Sequence, residues 1–278
     1  MENRDWNAEW MRLSDRREVV HDAAFWDRRA PDFRCGDETT PYVAGFIGSL
    51  RIRPGESVLD VGCGSGALAL PLARAGHDVL ALDFSSGMLD ALRRRAAADG
   101  LHNVTTIHAA WDDDWHAAGV GAADVVIASR SLDVRDLRAA LEKLDAFARR
   151  RICITVPADG LLFPQLLAHE AVGRRPIKRG DHGIALGVLR QMGIEAELRF
   201  LEHASRSRYG SREAALESLR RMVAPADERE ERALERYVTE HLVETTGADD
   251  RREWRREPEI TVRWACLAWD KPPGAGPA

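Results

Sequence analysis

The chain has 278 residues, with 40 Lys and Arg against 45 Asp and Glu and a formal charge of -5. That length exceeds a peptide module and falls short of two full domains, and the near balance of charge lacks the basic footprint of a phosphate binder, so no nucleic acid is expected as a partner. A hydrophobic share of 45% and a charged share of 31% exclude long disorder and a coiled-coil rod.

The first fifty residues carry Trp6, Trp10, Phe25, Trp26 and Phe33 among many charges, which suits helical segments laid over an apolar surface. The opening residues lack the apolar core of a signal peptide, and no apolar run approaches the ~20 residues of a membrane span, so the expectation is a cytoplasmic chain. From Ser57 the pattern changes: SVLDVG reads as a short buried strand, GCGSG as a turn, and ALALPLARAG as a helix stopped at Gly76. HDVLALD is a second strand ending at Asp83, and SSGMLDALRRRAAADG a helix with serine at its cap and Gly100 at its end. Strands follow at 103–108, 123–129 and 151–156. Between the last two, Leu137, Leu141, Leu144 and Ala148 share one helical face. Alternation at this spacing predicts parallel βαβ units with right-handed crossovers.

Beyond Asp159 the beat loosens. A linker is expected over 158–180, a helix near 181–192 stopped by Gly193, a strand near 195–203, two charged helices near 212–223 and 226–243, and a final strand over 260–269. The charge run over 226–236 reads as a solvated helix face. Cys35, Cys63, Cys153 and Cys266 are scattered, with no CxxC or His/Cys spacing, so neither disulfides nor a metal site is predicted.

The segment Val58-Leu59-Asp60-Val61-Gly62-Cys63-Gly64-Ser65-Gly66 stands between a strand and a helix, where glycines let the chain turn tightly and let a ligand approach the main chain. With Ala67 it also satisfies the looser dinucleotide pattern, so an NAD-dependent oxidoreductase is an alternative. Asp60 argues the other way. A carboxylate two residues ahead of the first glycine repels a pyrophosphate and attracts an ammonium or sulfonium charge. Asp83, at the end of the second strand, is placed to accept from two ribose hydroxyls.

Together these segments resemble the class I S-adenosylmethionine-dependent methyltransferases. VLDVGCGSG is similar to their motif I, VLALDFSSGML to their ribose-binding segment and ADVVIASRSL to their fourth strand, over about 57–157. The resemblance implies an α/β fold, a Rossmann-like doubly wound sheet of seven strands, mostly parallel with an antiparallel last strand. It also implies S-adenosyl-L-methionine as cofactor and a single methyltransferase domain over 1–278. Within it, 1–50 form a helical lid, 51–157 the cofactor half, and 158–270 a second half with a helical insertion at about 205–255. The stretch 271–278 is a disordered tail.

Carried onto this sequence, the resemblance places Gly62, Cys63, Gly64 and Gly66 along the methionine and ribose, Asp60 behind the loop, Asp83 on the ribose and Phe84 along the adenine. Met88 and Ser129 complete the cofactor contacts. HDAAFWDRRAPDF resembles the aromatic helix that covers the cofactor in small-molecule members, which brings Trp26 to the site and singles out His21. The family's Gly-Asp pair after the third strand is Ala109-Ala110-Trp111-Asp112 here. The adenine is then met either by Asp112 from a shifted position or by Trp111 packed on the ring.

At the end of the fourth strand, Ser129-Arg130-Ser131 carries neither the Cys-Pro of cytosine-C5 enzymes nor the Asn/Asp-Pro-Pro-Tyr/Phe of amino-methylating ones. The reading is therefore methyl transfer by in-line displacement to a small-molecule acceptor, seated near Arg130 under the N-terminal helices and the insertion. A protein or RNA methyltransferase and a non-catalytic adenosyl-binding module are the alternatives, and the sequence identifies no catalytic base.

Overall fold

The computed structural model describes residues 4–16, 22–30, 40–158, 169–174, 180–204, 208–246, 252–259 and 261–272. His21, Phe33 and Cys35, and most of the expected tail, lie outside them. Two compact units are present: Met1–Ala158 with Gly180–Leu201 and Trp264–Ala278, and Asp159–Arg179 with Glu202–Arg263.

The first unit begins with three helices, α1 (Trp6–Ser14), α2 (Ala23–Arg29) and α3 (Pro41–Leu50), each started by a side-chain cap from Asp5, Asp22 and Thr40 in turn. The alternating stretch follows as β1 (Val58–Val61), α4 (Ala69–Arg74), β2 (Val79–Asp83), α5 (Ser86–Ala98), β3 (Val104–His108), β4 (Ala123–Ala128), α6 (Leu137–Phe147) and β5 (Ala148–Pro157). After α7 (His182–Gln191) come β6 (Glu197–Ala204) and, beyond the second unit's elements, β10 (Thr261–Asp270).

The sheet has seven strands in the order β3-β2-β1-β4-β5-β10-β6. β1 to β5 pair in parallel, and β10 runs antiparallel to β5, with Trp264 opposite Pro157 and Asp270 opposite Arg151. This is the Rossmann-like doubly wound architecture. Alternate residues supply two cores, one on each face. Leu59, Val61, Leu82, Val126 and Ile154 face α1, α6 and α7, while Val58, Ala81, Val125, Ile127 and Cys153 face α3, α4 and α5. Because both faces are covered, the short strands read as unbroken apolar runs. Strand order reverses between β1 and β4, so their carboxyl ends open a crevice.

Ala148 departs from the expected helical face: its backbone is extended and it opens β5, because Arg149, Arg150 and Arg151 continue the strand upstream of the apolar run. Arg151 is the reason a charged start is tolerated. Its side chain is buried, and its guanidinium donates to Asp270 at 2.9 Å and lies 3.4 Å from Glu197.

The second unit contains β7 (Arg208–Tyr209), α8 (Arg212–Val223), α9 (Glu228–His241), β8 (Leu242–Thr246) and β9 (Arg252–Arg256), with a three-stranded sheet in the order β7-β9-β8. The helices match the expected pair, and the sheet was not foreseen, since its strands are polar and short. The expected linker is also more than a connection. Val172 is buried with Leu219, Leu234 and Tyr237, and Arg174 makes a forked pair with Glu230, donating from Nε at 2.8 Å. Glu230 and Glu231 in the charge run thus hold Arg174 and Arg220 rather than water alone. Among the described residues no helix is long and apolar enough to cross a membrane.

Candidate active site

The carboxyl ends of β1, β2 and β4 bring the glycine loop, Asp83 and the 129–131 turn to one place. Gly62 and Gly64 take positive φ, 72° and 54°, the left-handed region where a side chain is strained. Gly62 is crowded as well as twisted, because a Cβ there would stand 2.3 Å from Ser131 Cβ. At Gly64 a Cβ would meet nothing within 4 Å. One glycine lets two loops touch, and the other faces open space. The Gly66 amide donates to the Cys63 carbonyl at 3.0 Å and closes the turn. The Cys63 side chain is buried, part of the same apolar core as Leu68, Leu70 and Leu89.

Asp83 is 5% exposed, and its two oxygens are divided between the loop and the next helix. Oδ2 accepts from the Gly64 amide at 2.8 Å and Oδ1 from the Ser85 amide at 2.9 Å. A carboxylate offers about four lone-pair positions, so these two bonds do not exhaust its acceptor capacity. Burial raises its pKa, with the Ser85, Gly64 and Phe84 amides pulling the other way. Asp60 lies behind the loop, 2% exposed, with Oδ2 buried and without a hydrogen-bond partner among the described residues. Burial first, then the neighbouring Asp83, pushes its carboxyl up to about 7, while the Ala69 amide and the Arg130 charge oppose this.

The remaining expected residues are spread over the neighbouring turns and helices. Phe84 is half-buried, its carbonyl 3.0 Å from His108 Nε2. Met88 is buried at the start of α5, where its amide donates to the capping Ser85 hydroxyl. Trp111 is half-buried, donates from its indole to the Ser131 carbonyl at 3.1 Å, and packs on Trp115 with ring centres 5.5 Å apart. It ties the turn after β3 to the turn after β4. Asp112 is exposed, and the carboxylate that turns back to the Ala110 amide, at 2.8 Å, is Asp113. Trp26 is half-buried on α2 and meets Phe25 edge to face. Ser129 Oγ lies 2.6 Å from Tyr42 Oη.

Three participants escaped the sequence reading. Asp27 of α2 accepts from Ser85 Oγ at 2.6 Å and from the Gly87 amide at 2.8 Å, so α2 docks on the start of α5 beside Asp83. Those two bonds hold its carboxyl below the usual range. Tyr42, buried at the start of α3, bonds both Ser129 and Thr155 Oγ1, and burial pushes its hydroxyl up. The Thr40-Pro41 pair, a cap followed by proline at the first helical position, was the available signal for that helix. Ser131 donates to the Val61 carbonyl at 2.6 Å, which explains why only glycine fits at 62.

A model of the methyltransferase domain matches residues 58–150, the stretch that carries this loop and both acids. The chain carries a methyltransferase domain, in line with its resemblance to the class I S-adenosylmethionine-dependent enzymes. A Haemophilus influenzae protein described as uncharacterized is 34% identical over 250 residues, 88% of this chain and 88% of its own length. Among solved structures, the YcgJ protein of Bacillus subtilis aligns with a TM-score of 0.54 at 12% identity, over 83% of this chain and 98% of its own. A Bacillus halodurans protein aligns at 0.53 and 14%, over 82% and 98%. At such identities these two speak for the methyltransferase fold alone.

Proposed function

We propose that this methyltransferase binds S-adenosyl-L-methionine in the Gly62–Gly66 cradle and transfers its methyl group to a small-molecule acceptor. The observation that carries the reading is the pair of buried acids around an open glycine. Gly64 leaves room for a ligand against the main chain, Asp83 keeps acceptor capacity for a ribose, and Asp60 holds an unpartnered carboxyl oxygen that suits a cation. A pyrophosphate would meet two carboxyls there, which weighs against a dinucleotide.

When bound, S-adenosylmethionine supplies an electrophilic methyl on a sulfonium. The protein's task is then alignment in a dry crevice, a contribution that can reach roughly 7–11 kcal/mol. Asp83 fixes the loop and the start of α5 through its two amide bonds, so the cradle is formed in advance. Tyr42 is not a base for this chemistry: its raised pKa keeps the hydroxyl protonated at neutral pH, where it orients Ser129 and Thr155. The small-molecule reading is supported by the near-neutral charge balance and by the Ser-Arg-Ser turn in place of a nucleobase clamp.

Calorimetry with S-adenosylhomocysteine, followed by incubation with methyl-labelled S-adenosylmethionine and fractionated cell extract, tests the proposal. Micromolar binding and label in the low-molecular-weight fraction are expected. Label confined to protein or RNA would replace the acceptor class, and failure to bind the adenosyl compound would remove the reading.

A further inference from the structure

The turn after β4 holds a cation whose purpose the fold does not explain. Arg130 is exposed and takes φ 58°, one of three non-glycine residues with positive φ among the described residues. A bend that needed only this backbone would be served by glycine, and a long charged side chain in a strained conformation points to a role for the side chain. Its neighbours lock the geometry. The Arg130 amide donates to Thr155 Oγ1 at 2.9 Å, Thr155 Oγ1 lies 3.0 Å from Tyr42 Oη, and Tyr42 reaches Ser129 Oγ. On the other side Ser131 is fastened to Val61 and to Trp111. The strained residue is thus pinned from β1, the turn after β3, β5 and α3 together.

The guanidinium lies over the Tyr42 ring, 4.5 Å from its centroid. A cation–π contact of this kind consumes none of the guanidinium N–H hydrogen bonds. Among the described residues no Asp or Glu forms an ion pair with it, whereas Arg93, Arg135, Arg150 and Arg151 all have acidic partners. Its charge also reaches Asp60 behind the glycine loop, which places it at the crevice between β1 and β4.

We infer that Arg130 is the acceptor-binding residue for a carboxylate, so that the methyl acceptor is a small carboxylic acid held in the guanidinium plane. This rests on the methyl-transfer reading above. A carboxylate matches a single planar fork with two parallel bonds. A phosphate dianion fits less well. The amides at the start of α5 cannot share its charge, since they are already taken by the Asp27 carboxylate and the Ser85 hydroxyl.

The test uses the full chain and the variants Arg130→Gln, Arg130→Lys and, as a control, Arg93→Gln on α5. S-adenosylhomocysteine binding should stay within about threefold in all of them, which also shows that they fold. Label from S-adenosylmethionine should enter extract metabolites that an anion exchanger retains at pH 7, and carbodiimide amidation of that fraction, but not phosphatase treatment, should abolish its acceptor activity. With the purified acceptor, Arg130→Gln should lower kcat/KM at least thirtyfold, mainly through KM, Arg130→Lys should recover part of the loss, and Arg93→Gln should match the parent. Label in unretained metabolites, phosphatase sensitivity, or an unchanged KM in Arg130→Gln would overturn the assignment while leaving methyl transfer standing. Adenosyl binding with no label in any fraction would overturn both.

Discussion

Gly62 and Gly64 both take positive φ in opposite surroundings, so exchanging each for alanine separates folding from ligand binding. At Gly62 the new methyl would lie 2.3 Å from Ser131 Cβ, against an ordinary carbon contact of about 3.5–4.0 Å. Ser131 cannot retreat easily, because its hydroxyl is bonded to Val61 and its carbonyl to Trp111. Left-handed strain of about 1–2 kcal/mol and overpacking of about 1–3 kcal/mol together give a loss of about 2–5 kcal/mol. For a domain of this size each kcal/mol moves Tm by roughly 2–4 °C. Gly64→Ala meets no neighbour within 4 Å, so only the strain of about 1–2 kcal/mol applies, yet its methyl projects into the open side of the cradle. Thermal unfolding should therefore rank parent, Gly64→Ala and Gly62→Ala in falling order, while S-adenosylhomocysteine calorimetry should show at least a tenfold loss in Gly64→Ala. Adding Ser131→Gly to Gly62→Ala should restore most of the overpacking share, whereas Ser131→Ala, which keeps the Cβ, should not. Equal melting of the two single variants, or full ligand affinity in Gly64→Ala, would refute the reasoning.

The buried acids make further predictions. Asp60, raised from 3.8 to about 7, holds a proton in the native state that the unfolded chain has already released. Its stabilising contribution is complete below about pH 4 and is lost as pH rises to about 7, a change on the order of 4 kcal/mol. Urea unfolding of Asp60→Asn should lack that slope, and adenosyl-ligand binding to the parent should tighten across the same range with release of a proton, visible by calorimetry in two buffers. Asp83→Ala removes a charged acceptor worth about 1.5–3 kcal/mol per bond, so calorimetry should show a loss of at least two orders of magnitude in affinity. Burial holds the Cys153 and Cys266 thiols up at about 12 and about 11. Peptides containing them should stay unmodified by thiol reagents at pH 8 until the chain is unfolded.

The part of the site that the sequence displayed is the part built from neighbours in the chain. The glycine loop and Asp83 sit at strand ends whose apolar runs mark them, because parallel strands buried on both faces leave no polar alternation to blur the boundary. The contacts that complete the site are made across long separations: Asp27 to Gly87, Tyr42 to Ser129 and Thr155, Trp111 to Ser131. Periodicity carries no trace of them. Asp112 and Asp113 illustrate the limit, since two adjacent carboxylates differ only in which one the turn aims at the Ala110 amide. The second unit's strands were hidden for a different reason. β9, Arg252–Arg256, reads REWRR, and four charged residues in five mask a strand whose central Trp254 packs under Arg212.

The position of β10 has a consequence for synthesis. Among the described residues β6 joins the large sheet only through β10, and β10 also covers the edge of β5. While a nascent chain lacks residues 261–270, β5 presents an open row of amides and carbonyls and β6 has no strand to pair with. The sheet stays unsealed until β10 enters between β5 and β6, two strands made before it. A chaperone that shields strand edges would have its work concentrated in that interval.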